Sequence, residues 1–143
     1  MRLLPVLEHP ELHKQYVLLR ECFLKEQNQN PSQINPESKI FLFEYDSKIV
    51  GFAEVHLEEE CFPDEDLPQL CLHIHAFYIQ SDKRQHGLGS MAFKLVSQWG
   101  RDNGAALVEI EAETTVVSAN KFLDDLGLDL VGKGLKNIYR GFI

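Results

Sequence analysis

The spacing of apolar residues changes several times along this chain, and each change marks a new element. Residues 2–7 read as a short strand. Pro10 suits the first turn of a helix, and Leu12, Tyr16, Leu19 and Phe23 recur at helical spacing to about residue 26. The polar stretch 27–38, with Pro31 and Pro36, reads as a loop or a broken second helix. Residues 39–45 form an aromatic-rich strand, Asp46-Ser47-Lys48 a turn, and residues 49–57 the hairpin partner. Alternation puts Phe52, Glu54, His56 and Glu58 on one face of that partner. Residues 70–79 are nearly all apolar apart from His73 and His75, as expected of a central strand. From Leu88, the set Leu88, Met91, Ala92, Leu95, Val96 and Trp99 falls on one helical face, which ends at Asn103-Gly104. A strand at 105–111 follows, then a helix marked by Val116, Ala119, Leu123 and Leu126 and stopped by Gly127. Two short strands, 128–131 and 137–142, complete an order of β-α-(α)-β-β-β-α-β-α-β-β.

Composition narrows the function classes. A chain of 143 residues fits one domain, 1–143, with a single core. Hydrophobic content of 44% and charged content of 25% are ordinary for a soluble globular protein. No apolar run approaches the roughly 20 residues that span a bilayer, so no membrane partner is expected. Glu8 interrupts the N-terminal apolar run too early for a signal peptide. Cys22, Cys61 and Cys71 are odd in number and lack a C-x-x-C pair, which predicts a reducing, cytoplasmic setting without a disulfide framework. A net charge of -8 argues against nucleic acid. Six of the nine residues from 58 to 66 are carboxylates. They read first as a solvated acidic loop, and second as a patch that steers a cationic substrate.

The chemistry concentrates between residues 73 and 90. His73 and His75 lie two apart on a strand, so both rings face one side. Imidazoles there can take the proton from an alkylammonium, which must lose it before its nitrogen can attack. Just beyond, Arg84-Gln85-His86-Gly87-Leu88-Gly89-Ser90 links the strand to a helix. Its glycines allow close backbone approach, and the helix end offers N–H groups to a phosphate. The segment is neither G-x-G-x-x-G nor a P-loop. Cys71 shares the histidine face, with Glu54 and His56 on a neighbouring strand, an arrangement that metals also use. Only inferred proximity supports such a site, and no metal is expected.

Arg84-x-x-Gly87-x-Gly89 in this element order resembles the signature of the GNAT superfamily of acyl-CoA-dependent N-acetyltransferases. The resemblance implies an α/β (α+β) fold with a mixed, mostly antiparallel sheet of six to seven strands flanked by helices. It implies acetyl-CoA as cofactor, with Gln85, His86, Gly87, Leu88, Gly89 and Ser90 on the pyrophosphate and Arg84 close by. The backbone of Phe77 and Ile79 would pair with the pantetheine arm, and N–H near Phe77 would stabilise an oxyanion. His73-x-His75 with the following turn further resembles serotonin (arylalkylamine) N-acetyltransferases, where such histidines are linked to deprotonating the amine. Acetyl transfer to a primary amine of an arylalkylamine, polyamine or aminoglycoside is the expected activity, with His73 and His75 catalytic and Glu54 and Glu111 on the substrate. A homodimer is compatible with this reading.

The pattern departs from the superfamily in the last long helix. Val116 stands at its usual Asn position and Leu123 at its usual Tyr position, the source of the acid in many relatives. Asn120 and Tyr139 are substitutes to consider. The departure favours a rival reading, an acyl-CoA-binding module without turnover.

Overall fold

The computed structural model describes residues 1–27, 37–60, 67–114, 116–134 and 136–143. The expected loop or second helix at 28–36 and the distal acidic run at 61–66 therefore lie outside the described residues. In chain order the elements are β1 (Arg2–Pro5), α1 (His13–Glu26), β2 (Lys39–Tyr45), β3 (Lys48–Glu60), β4 (Gln69–Ile79), α2 (Leu88–Asp102), β5 (Leu107–Glu113), α3 (Val117–Asp125), β6 (Asp129–Gly132) and β7 (Lys136–Phe142). Short 3-10 turns at Val6–Glu8 and Pro10–Leu12 replace the end of the expected first strand and the start of the expected helix.

The strands form one seven-stranded sheet in the order β1-β2-β3-β4-β5-β7-β6. β4 and β5 run parallel, from Cys71 opposite Leu107 to Ile74 opposite Ile110. A parallel pair needs a crossover, and α2 supplies it. The β1–β2, β2–β3, β5–β7 and β6–β7 pairs are antiparallel. The mixed, mostly antiparallel sheet flanked by helices is the fold that the sequence predicts.

Contacts divide the chain into two units, 1–55 with 76–96, and 56–75 with 97–143. In the first, Leu4, Val6, Tyr16, Leu19, Leu42, Phe52, Ala76 and Tyr78 form a core cluster. Phe52 meets Tyr16 and Phe23 edge-on, at 5.6 and 5.8 Å between ring centroids, an arrangement that aromatic quadrupoles favour. Gly51 lets β3 approach β4: a Cβ there would overlap the Tyr78 carbonyl oxygen. In the second unit, Leu72, Val108, Ile110, Leu123 and Tyr139 are buried, and Gly100 of α2 makes room for Leu72.

Candidate active site

Two groups of residues carry the candidate chemistry, one in each unit. In the first unit β4 ends at Ile79, and the segment from Arg84 enters α2 at Leu88. The turn closes because Gln85 and Gly87 take left-handed backbone, with φ of 67° and 75°. Gly87 does so freely, whereas at Gln85 the side chain makes that conformation cost about 1–2 kcal/mol. A Cβ added at Gly87 would meet nothing within 4 Å, so open space faces the turn. The N–H of Met91 donates to the Gly87 carbonyl at 3.1 Å. The N–H groups of Leu88, Gly89 and Ser90 thus precede any intrahelical acceptor, at the electropositive end of a 15-residue helix. Gln85, His86 and Ser90 are exposed beside them, and buried Leu88 anchors the helix. Donors and space together fit a pyrophosphate.

The Arg84 charge is paired within the protein. Its guanidinium grips Glu26 with two bonds of 2.8 Å, and its Nε donates to the Ile79 carbonyl at 2.8 Å. It also lies 5.3 Å from the Tyr78 ring centroid. The bond to Glu26 raises the Arg84 pKa above its ordinary value. Arg84 therefore pins the end of β4 to its own turn and to α1. Phe77, two residues before Ile79 on β4, is the other expected backbone partner of an extended ligand. Its ring is half-buried between Phe43, at 5.4 Å, and Phe93, at 6.2 Å.

Glu54 of β3 is enclosed in the first unit. Only 6% exposed, its carboxylate accepts from the Tyr16 hydroxyl at 2.5 Å and the Arg20 Nε at 2.7 Å. Burial, then the bond to Glu54, raises the Tyr16 pKa. This internal ion pair compensates the Glu54 charge.

In the second unit, His73 and His75 of β4 are joined by His56 of β3. The His56 ring stacks on His75 at 4.4 Å and on His73 at 4.9 Å, with interplanar angles of 4° and 11°. His56 Nδ1 bonds His75 Nε2, and its Nε2 bonds the Glu58 carboxylate at 3.0 Å. That last bond draws the Glu58 pKa down. His73 is half-buried and His75 exposed. His73 Nε2 lies 2.5 Å from Glu60 but is not aligned for a hydrogen bond. The alternation of β3 signals that His56 shares a face with Glu58, but nothing in the sequence sets the β3–β4 register that stacks it on the pair.

Glu109 is bound by Arg140 at 3.0 Å, and the exposed Glu111 lies 3.6 Å from Lys136 Nζ. Leu123 is buried. The Tyr139 hydroxyl donates to Asn120 Oδ1 at 2.9 Å, and Asn137 Nδ2 donates to the same oxygen at 2.8 Å. Asn120 is thus part of an internal network.

No helix among the described residues is long and apolar enough to cross a membrane. No curated protein sequence matches the chain significantly. Solved structures do share its fold. An acetyltransferase from Thermus thermophilus is 18% identical with a TM-score of 0.69, over 99% of this chain and 96% of that one. Naa50 from Arabidopsis thaliana, in complex with the bisubstrate analogue CoA-Ac-MVNAL, is 14% identical with a TM-score of 0.68, over 92% of each chain. The PaiA N-acetyltransferase from Thermoplasma acidophilum, in complex with coenzyme A, is 13% identical with a TM-score of 0.60, over 93% of this chain and 74% of that one. At the level of sequence, residues 5–128 match the acetyltransferase (GNAT) family. That span runs from the end of β1 past α3 and takes in the whole glycine turn, and the chain belongs to the GNAT acetyltransferase family.

Proposed function

We propose that the chain is an acetyl-CoA-dependent N-acetyltransferase that acts on a primary amine of a small, cationic substrate. The observation that carries this reading is the turn into α2, with its left-handed backbone, open front and N–H groups of Leu88, Gly89 and Ser90. Those donors hold the pyrophosphate, and the Phe77 backbone aligns the pantetheine arm. Coenzyme A in one protein of the same fold, and the bisubstrate analogue CoA-Ac-MVNAL in another, support the choice of cofactor. When bound, acetyl-CoA supplies the acetyl group as a thioester.

The chain's own part is to free the amine of its proton. With His56 Nε2–H donating to Glu58, His56 Nδ1 accepts from His75 Nε2–H. Nδ1 of His75 is then the basic nitrogen that takes the ammonium proton. The charge passes to His56 and on to Glu58, which is open to solvent. His73 stacks on His56 and holds that ring in place. The exposed carboxylates of Glu58 and Glu111 suit a positively charged substrate. Arylalkylamines, polyamines and aminoglycosides all meet that requirement.

Buried Leu123 at the usual acid position favours a second reading, binding of acyl-CoA without turnover. Thiol release from acetyl-CoA across a panel of these amines separates the two. Release with at least one amine is expected. Calorimetric CoA binding without release from any amine would leave only the binding module. His75→Gln is expected to cut kcat tenfold or more with CoA affinity unchanged, and an unaltered kcat would remove His75 from the mechanism.

A further inference from the structure

Sharing His73 with the histidine stack, and going beyond the acetyl-transfer reading, the second unit gathers four donors of mixed chemistry. We propose that Glu60 of β3, Cys71 and His73 of β4, and Glu109 of β5 form a binding site for one divalent transition-metal ion of the zinc type. One ligand atom from each of the four lies within 4.8 Å of every other. Thiolate, imidazole and carboxylate together are a donor set that zinc accepts in tetrahedral geometry. Bond lengths of about 2.0–2.3 Å place tetrahedral donors roughly 3.3–3.8 Å apart. Closing onto an ion thus needs shifts on the order of 1 Å, which side-chain rotation provides.

The donors converge where water is largely excluded. Cys71 is fully buried, and the side chains of His73, Glu60 and Glu109 are 16%, 25% and 13% exposed. His73 Nε2 is a buried nitrogen with no hydrogen-bond partner, 2.5 Å from the Glu60 carboxylate. Buried polar atoms of this kind are normally satisfied, and a ligand bond would satisfy this one. Charge points the same way. Two carboxylates and a thiolate are balanced by a divalent ion together with the Arg140 guanidinium, which already holds Glu109 at 3.0 Å. Lying on three strands, the donors would let the ion tie β3, β4 and β5 together. His56 and Glu58 bond each other, so the more enclosed four-donor set is the better cage.

The test uses the full chain, purified without chelator and then reconstituted with Zn2+ or Co2+. Elemental analysis is expected to give one zinc per chain after dialysis. The cobalt form is expected to show thiolate-to-cobalt charge-transfer absorption in the near ultraviolet. Cys71→Ser should abolish that absorption. Glu60→Gln, at a partly exposed position where substitution disturbs folding less, should lower zinc affinity at least tenfold. Chelator should lower the Tm of the parent and leave the Tm of Cys71→Ser unchanged. Substoichiometric zinc, cobalt spectra without a thiolate band, or full zinc retention in both variants would each overturn the assignment.

Discussion

Replacing Gly51 by alanine tests how the packing of β3 on β4 shapes the cofactor end of the protein. A Cβ at that position would overlap the Tyr78 carbonyl oxygen and come within 3.0 Å of Tyr78 C and 3.1 Å of Ile79 Cα. All three are backbone atoms, so no rotamer change relieves the clash and β4 itself must move. Overpacking of this sort costs about 1–3 kcal/mol, and a rigid neighbour puts the value at the upper end. Unfolding entropy of about 2.1 cal/mol/K per residue gives this 143-residue chain roughly 0.3 kcal/mol/K. A loss of about 3 kcal/mol therefore lowers Tm by about 10 °C. The same movement displaces the Ile79 carbonyl that anchors Arg84, so CoA affinity should fall as well. Gly134→Ala is the control, because a Cβ there meets nothing within 4 Å. It should leave Tm unchanged or raise it slightly, through a less flexible unfolded chain. Scanning calorimetry and CoA titration read both effects. A Gly51→Ala protein with parental Tm and parental CoA affinity would refute the reasoning.

Three further outcomes are expected. Glu54→Leu removes the carboxylate that Tyr16 and the largely buried Arg20 both bond and should cost about 3 kcal/mol, seen in chemical denaturation; it should leave the amine KM of the folded enzyme unchanged, and a raised KM at unaltered stability would place Glu54 at the substrate. Burial, with the nearby Glu60 and Glu109 carboxylates, pushes the Cys71 thiol up to about 12. In chelator-treated protein at pH 8, iodoacetamide should therefore label exposed Cys22 and spare Cys71, as peptide mass mapping will show. The Tyr78 phenol is also raised, chiefly by burial, to about 12. The unfolded chain then loses this proton first, so stability is full below about pH 10 and declines from there through pH 12, and Tyr78→Phe should flatten that decline in equilibrium unfolding.

Hydropathy carried most of the fold, and its misses have physical causes. Met91 reads as core but is 38% exposed, whereas Phe93, outside the predicted set, is buried. Phe93 turns inward because Phe77 of β4 offers it an edge-on contact, a tertiary partner that helical periodicity does not encode. β3 runs to Glu60, three residues beyond its predicted end. Its last residues are acidic, and a strand whose polar face pairs with histidines shows no apolar alternation to read. The glycine turn was legible because left-handed backbone favours particular residues at particular places. Arg84 was legible as a charge but not as a brace, since its partner Glu26 stands 58 residues away in sequence.

The same distinction settles what Tyr139 does. Seen as sequence, it is a phenol that could replace the acid missing at position 123. In the fold, its hydroxyl already donates to Asn120 Oδ1, and burial raises its pKa. A phenol held in that way gives up its proton reluctantly. A thiolate leaving group, with a thiol pKa near 8.5, has little need of it and can be protonated by solvent. The Asn120–Asn137–Tyr139 network is better understood as the polar joint between α3 and β7, holding Asn120 Nδ2 against the Val116 carbonyl at the helix start. In the proposed mechanism, proton removal from the amine is then the step that calls for a side chain, and the His75–His56–Glu58 series is the candidate for it, with no tyrosine at position 123 required.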